Sequence, residues 1–174
     1  MSRHADQVVA HIPRLRRYAL ALLRDPQRAE DLVQETLARA LGRLHFWRVG
    51  SDLRAWLFSI MHNQFANDCR SATRRPLMVD LDGPQGAVVE PASAVGADSG
   101  AAIDDIEVAL LQLPPQQRAA LLLVSLEGLS YAEAARVLGI KPGTLMSRLY
   151  RGRERLRQLL DHPSAVKGTL RRVK

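Results

Sequence analysis

The chain has 174 residues, enough for one domain or two small ones, and its 47% hydrophobic content argues against wholesale disorder. No apolar run reaches the ~18 residues of a membrane span. The net charge of +7 is uneven: residues 1–75 hold 13 Lys/Arg against 7 Asp/Glu, 76–105 hold 6 acids and no base, and 106–174 hold 12 against 5.

Two basic blocks around an acidic strip suggest two surfaces for a polyanion, joined by a segment that avoids it. Excess arginine serving only solubility is the plain alternative. The N-terminal MSRHADQVVAHIPRLRRY meets charge too early for a secretion signal. Cys69 is the sole cysteine, so no internal disulfide can form and a cytoplasmic location is expected.

In chain order, His4–Arg24 carries Val8, Ile12, Leu15, Ala19, Leu22 and Leu23 at helical steps, with Pro13 expected to bend or divide the run. Asp25-Pro26 reads as an N-cap followed by proline at the first helical position. The next helix, 26–44, aligns Ala29, Leu32, Val33, Leu37, Ala40, Leu41 and Leu44. Ser51 or Asp52 then caps a third helix to about Arg74, with Trp56, Leu57 and Ile60 inward. Three antiparallel helices can bury these stripes together.

Residues 76–105 contain three prolines, four glycines and no sustained period, the composition of a flexible linker with at most a short ordered piece at 77–81. Helices are expected again at 103–113 and 115–127. Gly128 closes the second, and Ser130 with Glu133 forms a capping box for the next.

The stretch LSYAEAARVLGIKPGTLMSRLYRGRERLRQLL is broken at Gly139, Pro142 and Gly143. A helix ending at Gly139, a short turn with Ile140 inward and Lys141 outward, and a new helix from Pro142 make a helix-turn-helix. Leu145, Leu149, Gly152, Leu156 and Leu159 fall on its packing side, and Thr144, Ser147, Arg148, Arg151 and Arg155 on another. The N-terminal part of such a helix enters a major groove, where Arg148 or Arg151 can fork onto a guanine edge. Arg153, Arg155 and Arg157 lie further along, where phosphate is the natural partner. An amphipathic helical hairpin with a solvated arginine face has the same pattern.

At these residues LPPQQRAALLLVSLEGLSYAEAARVLGIKPGTLMSRLYRGRERLR resembles the promoter-reading C-terminal domain of bacterial RNA polymerase sigma factors. RDPQRAEDLVQETLARAL with DLRAWLFSIMHNQFANDCRSATRR resembles their N-terminal conserved domain. The order of blocks matches the small extracytoplasmic-function (ECF) subgroup of the sigma-70 family. The resemblance implies an all-α fold: a three- or four-helix sigma-2-like domain at 1–75, a flexible acidic linker at 76–105, a four-helix sigma-4-like domain at 106–160, and a basic tail at 161–174.

It further implies no catalytic role and no cofactor. Core RNA polymerase, through its β′ clamp and β flap, and promoter DNA are the implied partners. An anti-sigma factor is a third, the chain being a monomer when free or 1:1 with it. Carried over by position, Asp31, Gln34 and Glu35 dock on the clamp, Glu30 joining their acidic face. Phe46, Trp47 and Arg48 with Asn63 capture flipped −10 bases, and Arg70, Arg74 and Arg75 follow phosphate. Lys141, Thr144, Ser147, Arg148, Arg151 and Arg155 serve the −35 element. Two positions depart from the family pattern: His62, before Asn63, and Met146, where the recognition helix usually has Lys or Arg.

The −10 and −35 elements, nearly two helical turns apart, need about 70 Å at ~34 Å per turn, which a stretched 30-residue linker can span. Alternatives stay open at this stage. Phe46, more than Trp47, can simply plug the end of the bundle. His62 and Cys69 share a helix face but lack a third ligand for zinc. A sigma mimic that sequesters an anti-sigma factor, or a plain helix-turn-helix repressor, would use parts of the same sequence.

Overall fold

The computed structural model describes residues 3–48, 50–74 and 101–161. Seven α-helices occur among them: α1 (Arg3–Leu23), α2 (Pro26–Gly42), α3 (Leu53–Arg74), α4 (Ala101–Leu111), α5 (Pro115–Ser125), α6 (Tyr131–Leu138) and α7 (Pro142–Asp161). One 3-10 turn, Leu44–Phe46, joins α2 to the loop before α3. The chain is all-α in two helical blocks.

Local chemistry sets most boundaries. The Asp25 carboxylate accepts the backbone N–H of Arg28 at 3.0 Å, and Pro26 opens α2. Asp52 accepts from Ala55 N–H at 3.2 Å and starts α3. Ser130 and Glu133 form the reciprocal capping box of α6, at 3.2 and 2.7 Å. Gly139 ends α6 with φ of 63°, a left-handed conformation that costs glycine little.

In the first block α1 packs on α2, and α2 on α3. Leu15, Tyr18, Ala19, Leu22, Leu57 and Met61 are fully buried, and Tyr18 meets Phe58 edge-on at 5.2 Å. In the second, α5 and α6 support α7 through Leu145, Leu149 and Gly152.

The blocks also touch each other. Helix α3 packs on α6, and α1 on α5 and α4, so one apolar cluster runs through both.

Several sequence expectations need correction. Pro13 does not divide α1. Its ring and Val9, whose carbonyl loses a helical partner, are both exposed, so water can take that carbonyl. Helix α2 stops at Gly42, and Leu41 is 52% exposed because it turns away from the stripe. In α3 the deeply buried side is Leu53, Leu57, Phe58, Met61 and Phe65, while Trp56 and Ile60 are half-buried at its margin. Helix α4 begins at Ala101, so the last five residues of the stretch read as linker are helical. Asp104 in its first turn complements the helix dipole. The remainder of that stretch, 76–100, with Arg75 and most of the tail read at 161–174, lies outside the described residues.

Candidate nucleic-acid interface

Helices α6 and α7 and the turn between them form the predicted helix-turn-helix. Lys141, Thr144, Ser147, Arg151 and Arg155 are all exposed. Ser147 and Arg151 stand one helical turn apart and so project from the same side. Arg151, Arg153 and Arg155 have no ion-pair partner among the described residues, whereas Arg157 is paired with Glu154 at 2.9 Å. Unpaired guanidinium forks beside small hydroxyl donors can meet a polyanion and its base edges without first breaking a bond.

Arg148 sits differently. It is half-buried, and its charge acts on His62 of α3. Burial, with Arg148 adding repulsion, pushes the His62 imidazole down to about 4, so it is neutral at physiological pH. Beside Ser147 and Arg151 lies an apolar pair that the sequence reading did not single out as such. Met146 is 57% and Tyr150 73% exposed, and with Tyr131 they line a shallow groove reaching Arg153. Apolar groups on a base-reading face suit thymine methyls.

In the loop before α3, Phe46 is 75% exposed with the His45 ring 4.0 Å away, while Trp47 packs against the core. The plugging role weighed above for Phe46 therefore falls to Trp47. Arg48 is exposed, and Ser51 folds the loop back by donating its hydroxyl to the Arg48 carbonyl at 2.8 Å. Along α3, Asn63 is exposed beside the buried His62, and Arg70 reaches Asn67 at 2.5 Å. Arg74 is the last residue of the helix.

On α2, Asp31 and Gln34 are exposed and Glu35 half-exposed. Glu30 accepts two bonds from Arg16, at 2.9 and 3.0 Å, and one from Gln34 at 2.7 Å. Those bonds hold its carboxyl below the usual range. Glu35 pairs with Arg39 at 2.6 Å, and Asp31 accepts from neutral Gln27 at 3.2 Å with no ion pair among the described residues. Glu30 is thus engaged within the fold, whereas Asp31 faces no cation among the described residues.

Residues that sequence reasoning missed lie between the blocks. The Glu127 side chain is wholly buried and accepts from Arg17 at 2.9 Å, and its carbonyl accepts from Arg54 at 3.3 Å. Only a lone acid in a leucine-rich run hinted at this. Burial raises the Cys69 thiol, and no group of three metal-ligating side chains exists among the described residues. No helix among them is long and apolar enough to cross a membrane.

Residues 103–156 match the family model for sigma-70 region 4, and residues 8–62 that for the sigma2 domain of PhyR. The ECF RNA polymerase sigma factor EcfG of Rhodopseudomonas palustris is 41% identical over 89% of this chain and 83% of its own length. The sigma factor RpoE of Bartonella quintana, solved with the anti-sigma factor NepR, superposes with a TM-score of 0.71 at 35% identity, covering 90% of this chain and 95% of that one. The anti-anti-sigma factor PhyR of Bartonella quintana, also solved with NepR, shares the fold at 16% identity and a TM-score of 0.59, covering 88% of this chain and 49% of that one.

Proposed function

This chain belongs to the ECF sigma factors of the sigma-70 family, and on that premise we propose that it directs core RNA polymerase to a set of promoters and helps open them. The observation that carries this is the exposed row of Thr144, Ser147 and Arg151 on α7, in a chain similar to sigma factors along both blocks.

The division of labour follows from the side chains. Asp31, Gln34 and Glu35 on α2 dock on the β′ clamp, where Asp31 contributes a carboxylate that faces no cation among the described residues. The β flap contacts the second block. Ser147 and Arg151 read base edges of the −35 element, Lys141 and Thr144 fix the entry of α7, and Arg155 holds phosphate. Arg148 joins them only once it leaves His62. At the −10 element, Phe46 stacks on an unpaired base, Asn63 hydrogen-bonds it, and Arg48 and Arg70 follow the strand. Stacking contributes about 1–3 kcal/mol per base, comparable to the few kcal/mol that unstacking costs, so melting needs no nucleotide hydrolysis by this chain.

By the precedent of RpoE with NepR, an anti-sigma factor restrains the chain until a stress signal arrives. The experiment is run-off transcription with purified core polymerase and genomic fragments. Discrete transcripts that require this chain support the reading, and their absence beside core binding removes it. The match of residues 8–62 to the PhyR sigma2 domain favours a second reading, a mimic that sequesters an anti-sigma factor. Such a mimic would bind that factor and start no transcript.

A further inference from the structure

The two described methionines of the helical blocks sit in opposite surroundings. Met61 is fully buried in α3, whereas Met146 is 57% exposed on α7. Leu145 and Leu149 fix α7 by their burial, so Met146 and Tyr150, one turn apart, stand together on its open side. Tyr131, the first residue of α6, completes a shallow groove around them that reaches Arg153. Glu154 in that groove is occupied by Arg157 at 2.9 Å and Gln158 at 3.2 Å, while Arg153 has no ion-pair partner among the described residues. A polarizable thioether is thus held in water among aromatic rings, beside Ser147 and Arg151.

We propose that Met146 is an oxidation-sensitive reading residue: a peroxide converts its thioether to the sulfoxide, and the hold on the −35 element loosens until the sulfoxide is reduced. The proposal rests on the sigma-factor reading, which sets α7 in the major groove. The sulfur lone pair attacks a peroxide oxygen. An S–O bond forms, the O–O bond breaks, and the departing hydroxide takes up a proton and leaves as water. Sulfur loses two electrons and the peroxide gains them. Reversal calls for a dithiol-dependent methionine sulfoxide reductase, whose thiols become a disulfide while the oxygen leaves as water.

Access makes the reaction selective, since Met61 offers a peroxide no surface and Met146 offers more than half of its own. The consequence follows from the base edge. Thymine presents a methyl group and the O4 acceptor in the major groove, and no donor. A thioether can lie against that methyl. A sulfoxide oxygen is an acceptor, finds no donor on thymine, and must shed water to approach it. Arg153 adds a second loss in the same direction. Its guanidinium lines the same groove, so the new oxygen can accept from it and draw it away from phosphate. The lost methyl contact is equivalent to about fourfold in affinity and the unpaired oxygen to about fivefold, roughly twentyfold together.

The test uses holoenzyme on a promoter recovered by run-off, with every chain in a Cys69→Ser background so that no thiol consumes oxidant. The chain alone is treated with hydrogen peroxide, cleared of it with catalase, and combined with untreated core polymerase. Peptide mass spectrometry reads oxygen addition at Met146 and Met61. Promoter affinity and core pull-down are measured for the Cys69→Ser chain and for its Met146→Leu variant, each against its own untreated state. A further sample of oxidised chain passes through methionine sulfoxide reductases with dithiothreitol before assembly. Circular dichroism verifies that the helices persist.

Oxidation should modify Met146 before Met61 and weaken promoter binding of the Cys69→Ser chain about twentyfold, with core binding unchanged. The reductases should restore the affinity, and the Met146→Leu variant should bind equally before and after peroxide. Complete sulfoxide at Met146 with undiminished promoter affinity overturns the proposal. So does an equal loss in the Met146→Leu variant, or a loss that the core pull-down shares. Absence of any specific transcript with untreated holoenzyme overturns the sigma-factor reading itself, and this proposal with it.

Discussion

Gly152 gives a sharp test of how α7 is held in reading position. It is buried on the face that meets α5, and a Cβ there would lie 3.0 Å from Leu121 Cδ1, 3.3 Å from Leu121 Cγ and 3.4 Å from Gln117 Cβ. Gly152→Ala gains ~1 kcal/mol of helix propensity. Against this, the Leu121 side chain must shift by a few tenths of an ångström within a packed layer. The two effects nearly cancel, leaving stability within about 1 kcal/mol of wild type. Gly152→Val pushes two further methyls into the same contact, at an overpacking cost of ~1–3 kcal/mol, and β-branching returns less of the helical gain. A net loss of about 1–2 kcal/mol is expected, with α7 lifted from α5. Urea unfolding followed by circular dichroism reads the stability. Binding to a −35 duplex and a pull-down on core polymerase read the function: the Val variant should lose much of the first and keep the second. A Val variant as stable as wild type, with undiminished duplex binding, would refute the close approach.

Three further outcomes are expected. His62 has a folded pKa of about 4 against 6.5 when exposed, so the unfolded chain takes the proton first. Stability should therefore fall as pH drops from about 6.5 to 4, by about 3 kcal/mol at most, and His62→Leu should flatten that slope in urea titrations; an unchanged slope would place His62 in water. Arg148→Ala with Arg151→Ala should abolish −35-dependent initiation yet spare core binding in a pull-down, each guanidinium contributing ~1–3 kcal/mol of base discrimination. Loss of core binding in the double variant would show the division of labour to be wrong. Deoxyuridine in place of thymine opposite Met146 and Tyr150 should weaken duplex binding about fourfold per methyl, the equivalent of one buried methylene. The loss should vanish in Met146→Ala with Tyr150→Ala, and equal sensitivity of variant and wild type would exclude methyl contact.

What the sequence disclosed divides by range. Asp25, Ser130 with Glu133, and Gly139 act on backbone within four residues, so their signals are local and were readable. Helical stripes were readable only approximately. Periodicity identifies a side but not its centre, hence the exposure of Leu41 and the shift in α3 toward Phe58 and Met61. Pro13 misled because the cost of a helical proline depends on whether the orphaned carbonyl sees water. The exchange of roles between Phe46 and Trp47 was beyond reach, since both residues are aromatic and adjacent, and only the 3-10 turn decides which faces in. The contact between the blocks was invisible for a different reason. Arg17 and Glu127 are 110 positions apart, and nothing near either residue announces the other. Separation in sequence likewise hid the partial burial of Arg148, which on a wheel looks as free as Arg151.

The most direct test of the central claim is permanganate probing of unpaired thymines on a promoter fragment recovered by run-off. Core polymerase with this chain should render thymines of the −10 region reactive, and Phe46→Ala with Asn63→Ala should suppress that reactivity while leaving the complex assembled. A promoter that stays unreactive with the wild-type chain bound to core, or melts equally well without it, would contradict the account.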